Sequence, residues 1–246
     1  MPKDAILGLE LHCPMSVTIH DLIALPLTRD DVLAAVREAR RHTFRDNLRR
    51  RSPIVQFDSK VRGYLGELGM RKWLATQGIK CTATNTPTDY HQMDTDLTLV
   101  GRGRHWHTEV KTSLIPSRYS HLEELLQQAD IKLIKRTATP AGLRSDLHLQ
   151  VLYDLVTDRR DDWLNRIRPD LPEQLSDEQL YTALRLSQYE AGAYFAAWID
   201  RERVCAYVPQ LATPTWGFGK RQFWVCRFRE HAMPPQTLVR FLNGSC

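Results

Sequence analysis

Apolar residues recur along this chain at two spacings, and the change from one to the other separates helices from strands. Val32, Leu33, Val36 and Ala39 share one side of a helix whose start is signalled by Thr28 with Asp31 three residues later. Val61, Tyr64, Leu65 and Leu68 predict a second helix over about 59–77, parted from the first by Pro53 and ended by Gly78. Gly63 and Gly66 within it would let another element approach closely. Residues 79–83 read as a strand and 85–89 as a loop.

Apolar residues then alternate with polar ones on both sides of Arg102-Gly103, which predicts a hairpin. Ser120 and Glu123 form a capping box ahead of a helix carrying Leu122, Leu125, Leu126, Ala129 and Leu133. The run 147–156 reads as a mostly buried strand. Residues 158–192 look helical and polar, an insertion with a capping box at Ser176 and Gln179. The pattern further predicts a short strand at 16–19, a hairpin of 194–199 with 204–208, a strand at 223–228 and a helix at 236–242. Through the middle the order is helix, strand, strand, strand, helix, strand, an α/β layout with a mixed sheet.

Composition narrows the class. A chain of 246 residues with 42% apolar and 26% charged residues suits one large folded domain with insertions and argues against disorder. No apolar run is long enough to span a bilayer, and the first residues lack the basic and apolar regions of a signal peptide. Five scattered cysteines with no C-x-x-C pair suit a reducing cytoplasm and give no zinc pattern. The expected location is therefore cytoplasmic, without a membrane partner. A net charge of +5 is compatible with a polyanionic partner, though many chains without one share it. The far end of the first helix concentrates that charge: Arg37, Arg40, Arg41, Arg45, Arg49, Arg50 and Arg51, offset by Glu38 and Asp46. It is either a solvated face or a phosphate-contacting surface, on which Arg41, Arg45 and Arg49 would hold a nucleic-acid backbone.

The candidate chemistry lies in the hairpin. Folding it at Arg102-Gly103 opposes Val100 to His105, Asp96 to Glu109 and Asp94 to Lys111. One face then carries Asp94, Asp96, Thr98, His107, Glu109 and Lys111, the other Thr95, Leu97, Leu99, Trp106 and Val110. Two opposed carboxylates repel by on the order of a few kcal/mol, which a divalent cation or a neighbouring lysine would offset. Glu-x-Lys alone carries no weight, because composition yields about one by chance, and a charged hairpin face also serves simply to meet water. His107 lies on the acidic face and would touch phosphate; His105 and His107 lack a third nitrogen or sulfur ligand. Trp106 reads as core, Gln127 and Gln128 as solvated, and Ser113 has no evident triad partners. Gly101-Arg102-Gly103 lacks the following helix that a phosphate loop requires.

Asp96, twelve further residues and then Glu109-Val110-Lys111 resemble the bipartite motif of the PD-(D/E)xK nuclease superfamily. The order of elements from about 59 to 156 is similar to that family's α-β-β-β-α-β core, and Gly66-Glu67 resembles the glutamate many members carry on the first core helix. The resemblance covers roughly a hundred of the 246 residues. It implies a restriction-endonuclease-like core, a mixed central sheet flanked by helices, over 56–157. An N-terminal extension with the basic helix (1–55) precedes it, and a helical insertion with C-terminal strands (158–246) completes or extends it. It further implies that Asp96 and Glu109 bind Mg²⁺, for which Mn²⁺ would substitute, that Lys111 serves the nucleophilic water and that Glu67 supports the metal site. Thr95 stands where the motif has proline, and Asp94 competes with Asp96 as first acid. The expected activity is hydrolysis of DNA phosphodiesters, preferably duplex, in restriction, defence, repair or a mobile element, by a homodimer or within a larger complex. The alternatives are an RNA-cleaving enzyme of the same fold and a non-catalytic nucleic-acid-binding or assembly subunit.

Overall fold

The computed structural model describes residues 16–41, 51–84, 95–135, 142–207, 216–218 and 221–244. Thr28 caps helix α1 (Arg29–Arg41) as its sequence predicts, with both its amide and its hydroxyl donating to Asp31 Oδ2, at 2.7 and 2.8 Å. Val32, Leu33, Ala35, Val36 and Ala39 are its buried side. Helix α2 (Pro53–Thr76) begins six residues before the expected start, because Pro53 opens it. A first-turn proline loses no helical hydrogen bond. Gly78, with φ +73°, follows α2 in the left-handed conformation.

A six-stranded mixed sheet carries the molecule: β1 (Ile23–Ala24), β2 (Cys81–Ala83), β3 (Leu97–Gly101), β4 (Arg104–Ile115), β6 (Leu147–Val156) and β7 (Ala193–Asp200), in the order β1-β7-β6-β4-β3-β2. β4 and β6 are parallel; the other neighbours are antiparallel. On one face lie α1, α2 and the last helix α9 (Pro235–Asn243), around Val36, Phe57, Leu65, Leu97, Val110 and Leu238. On the other lie α3 (Leu122–Gln128), α8 (Arg201–Tyr207) and a three-stranded sheet of β5 (Asp130–Lys135), β9 (Arg221–Arg227) and β8 (Trp216–Phe218), around Leu125, Ile131, Ile199, Val204 and Cys226. The four helices between β6 and β7 are α4 (Thr157–Asn165), α5 (Leu171–Gln174), α6 (Asp177–Ala183) and α7 (Ser187–Ala191). α6 carries the expected Ser176–Gln179 capping box. Among the described residues no helix is long and apolar enough to cross a membrane.

The hairpin turns where its sequence places it. Arg102 and Gly103 both have positive φ, 51° and 69°, the twist that matches two right-handed strands. Several local expectations are corrected. Residues 19–21 form a 3-10 turn closed by Thr18 and Asp21 rather than a strand. Helix α3 is capped by His121, whose Nδ1 accepts from the Glu124 amide at 3.3 Å, not by Ser120 with Glu123. Leu133 lies on β5, because the chain leaves the helix at Ala129 to pair with β9. Residues 201–207 are helical rather than a strand, since the Asp200 carboxylate accepts from the Arg203 amide at 2.7 Å and caps a new helix.

α2 crosses β4 closely at one glycine. A Cβ on Gly66 would collide with the Thr112 methyl group, whereas one on Gly63 meets nothing within 4 Å, so only Gly66 serves the close approach both were expected to allow. Gly63→Ala should accordingly stabilise the protein by about 0.5–1 kcal/mol, and Gly66→Ala should destabilise it by about 1–2 kcal/mol. Urea melts of the two variants check this, and shifts of the same sign would refute the packing at Gly66.

Candidate functional site

Strand pairing aligns β3 and β4 as far as Leu97 with Thr108, in the register the sequence predicts. One step further the pattern changes. The amide of Asp96 donates to the Thr108 carbonyl at 2.9 Å, and the Asp96 carboxylate accepts from the Val110 amide at 2.7 Å. Asp96 therefore does not stand across from Glu109 as expected. It sits against the Glu109–Val110 peptide, because the strands part there and a side-chain oxygen takes the place of a backbone acceptor.

Glu109 and Lys111 lie on the far side of β4 from α2, facing β6. The parallel register brings Glu109 beside His148 and Lys111 beside Gln150. Lys111 Nζ donates to Glu109 Oε1, and His148 Nδ1 lies 3.1 Å from Glu109 Oε2. Gln150 Nε2 donates to the Lys111 carbonyl at 3.2 Å and to Ser113 Oγ at 3.3 Å. Glu109 is only 6% exposed, and burial alone would raise its pKa; the Lys111 ammonium and the His148 ring outweigh this and bring it down to about 2. An ionised Glu109 only accepts, so the His148 proton on this side is on Nδ1. His148 Nε2 is buried with no hydrogen-bond partner among the described residues. His148 and Gln150 are functional candidates that sequence reasoning missed. The signal was present: they are the two polar residues at alternate positions of LHLQVL, on a strand otherwise apolar there.

Glu67 lies on α2, half-buried. Burial, and then the negative charge of Asp96, push it up to about 8, with Arg71 opposing. The site is thus two clusters that meet at one peptide: Glu67 with Asp96, and Glu109 with Lys111 and His148. Among the described residues no three His, Cys, Asp or Glu side chains stand grouped as a preformed metal site.

Arg41 is exposed and pairs with Glu38 of its own helix at 3.1 Å. Arg37 and Arg40 reach Asp177 at 3.7 and 3.3 Å, and Arg29 pairs with Glu178. Part of the basic side of α1 is thus paired with acids of α6 rather than left for phosphate. Arg45, Arg49, Asp94 and the predicted loop 85–89 lie outside the described residues. His107 is exposed, and its backbone amide donates to Asp146 Oδ2 at 3.0 Å. Trp106 is buried, as its place in the hairpin predicts, with its ring 5.0 Å from that of Phe241.

No family model matches the chain, and neither a curated protein nor a solved structure is significantly similar to it.

Proposed function

We propose that this protein is a metal-dependent nuclease that hydrolyses DNA phosphodiester bonds, with a restriction-endonuclease-like core built from α2, β2–β4, α3 and β6. The observation that carries this reading is the contact of Asp96 with the Val110 amide, which holds one acid of the motif against the Glu109–Val110–Lys111 stretch of the adjoining strand. The parallel pairing of β4 with β6 supports the fold; β5 is an extra strand lying in another sheet.

The donor set fits a hard cation such as Mg²⁺, with Mn²⁺ as substitute. Asp96 and Glu109 are oxygen donors, and the negative charge of Asp96 acts on Glu67, a repulsion that a cation would offset. Asp96 and Glu109 would hold it; Glu67, on the α2 side of the sheet, would act through Asp96. When bound, it would supply positive charge to the scissile phosphate and make water a stronger acid. For Glu109 to take part, its carboxylate must give up either Lys111 or His148. Lys111, once released, has an ammonium free to meet charge developing on phosphate, while His148 keeps the other carboxylate oxygen oriented.

The closed contacts of Glu109 favour the second reading, a silent nucleic-acid-binding subunit. Incubation of the purified chain with supercoiled plasmid, linear duplex, single-stranded DNA and RNA, each with Mg²⁺, Mn²⁺ or EDTA, separates the two. Nicking or linearisation that EDTA stops, and that Asp96→Ala prepared in parallel lacks, is the expected result. Cleavage confined to RNA would move the substrate, and inactivity on every substrate with both metals would leave the silent subunit.

A further inference from the structure

The parallel strands β4 and β6 end together at Ile115 and Val156, and a cleft of about 430 Å³ opens beyond them. It lies six residues along β4 from Glu109, about 20 Å at the rise of an extended strand, so it is a different place from the acidic clusters. Open α/β sheets commonly receive ligands beyond the carboxyl ends of their parallel strands. The volume lies within the usual range for small-molecule sites.

The lining has a definite chemistry. Three of its residues are arginines: Arg159, Arg160 and Arg185. Arg160 is committed inward, donating to the buried Asp58 carboxylate at 2.5 Å and to the Leu184 carbonyl at 2.8 Å. Arg159 and Arg185 are exposed, and neither has a carboxylate partner among the described residues. Asp154 is the one acid among the lining residues, so the open guanidinium groups outnumber it. Trp163 completes the wall, its indole ring 4.8 Å from the Arg160 guanidinium and 5.1 Å from that of Arg185. Arg185 has φ 49°, a left-handed conformation uncommon for a side chain of its size.

We propose that this cleft binds a nucleotide, with its phosphate on Arg159 and Arg185 and its base against Trp163. Guanidinium groups match phosphate oxygens in charge and in planar, forked geometry. An indole accepts any base by stacking. Two exposed arginines without a carboxylate partner among the described residues, beside a tryptophan in a space of nucleotide size, combine these two modes. The phosphate-bearing nucleotide has two sources, a free mononucleotide or the 5′-phosphorylated end of a strand.

Calorimetric titration of the whole chain in EDTA tests this without reference to cleavage, so it stands or falls separately from the nuclease reading. The probes are deoxyadenosine 5′-monophosphate, thymidine 5′-monophosphate, deoxyadenosine, inorganic phosphate, and one oligonucleotide with either a 5′-phosphate or a 5′-hydroxyl. The mononucleotides are expected to bind at least about tenfold more tightly than the nucleoside or phosphate, a difference calorimetry resolves. If the strand end is the natural occupant, the 5′-phosphorylated oligonucleotide exceeds both its 5′-hydroxyl form and the mononucleotides. Arg159→Ala with Arg185→Gly removes both open charges and keeps the left-handed backbone at 185, and should abolish binding at an unchanged melting temperature. Trp163→Leu, verified as folded by its melt, should erase the preference of nucleotide over phosphate. Equal binding of phosphate and nucleotide, binding that survives the double arginine variant, or no binding by any probe would each overturn the assignment.

Discussion

Glu109→Gln is expected to lower metal-dependent cleavage by about 10²–10³-fold or more, the usual loss when a charge-stabilising group is removed from a reacting centre. The same substitution leaves the Lys111 ammonium and the His148 ring without their carboxylate in a site where Glu109 is 6% exposed. It should therefore cost roughly 3 kcal/mol of stability at pH 7, the free energy that corresponds to a carboxyl held near pKa 2 in the fold against about 4.5 in the unfolded chain. Because the folded pKa is the lower one, this stabilisation is present above about pH 4.5 and is lost as pH falls towards 2. Urea midpoints of wild type and variant should differ most at neutral pH and converge in acid. A gap that stays constant from pH 7 to pH 3 would show that Glu109 is not held ionised by Lys111 and His148. Full cleavage by Glu109→Gln would remove it from the proposed chemistry.

Asp58→Ala is expected to destabilise the protein by about 3–5 kcal/mol, the range found when one partner of a buried ion pair is deleted. Asp58 is fully buried on α2 and accepts from Arg160 at 2.5 and 3.2 Å, from Arg62 at 3.2 Å and from the Tyr189 hydroxyl at 2.7 and 2.8 Å. It ties α2 to α4 and α7, so its loss strands two buried guanidinium groups at once. The melting temperature should fall by about 6–20 °C. A loss below about 1 kcal/mol would mean that water reaches the arginines as readily as the carboxylate does.

Much of the local structure was legible in the residues. Thr28 with Asp31 and Ser176 with Gln179 are caps whose partners lie three positions apart, and both form as their spacing predicts. Arg102-Gly103 turns because a two-residue hairpin loop demands positive φ, which glycine accepts freely. The alternation of Leu97 and Leu99 against Thr98 established which side of β3 is buried. Each of these depends on residues within a few positions of one another.

The candidate site was legible only in part, because its partners come from distant segments. Asp96 and Glu109 were found as a pair, but their opposition fails where β3 and β4 part, and no local pattern marks that point. His148 and Gln150 looked like incidental polar positions until β6 lay beside β4. The arginines of α1 suggested a basic surface until Asp177 of α6 took two of them, Arg37 and Arg40. Leu133 continued a helical spacing, yet pairing with β9 drew it into a strand.

Backbone periodicity, capping and turn chemistry are properties of a few consecutive residues, and the sequence by itself determined those: two long helices, the hairpin and its turn, and the α/β order. Which side chains share a charge, a proton or a face across strands depends on register and crossover, and these are settled when remote hydrophobic surfaces close on one another. Tertiary structure alone decided that Glu109 meets His148, that burial and Asp96 push the Glu67 carboxyl up, and that three arginines gather with Trp163 at the end of the sheet.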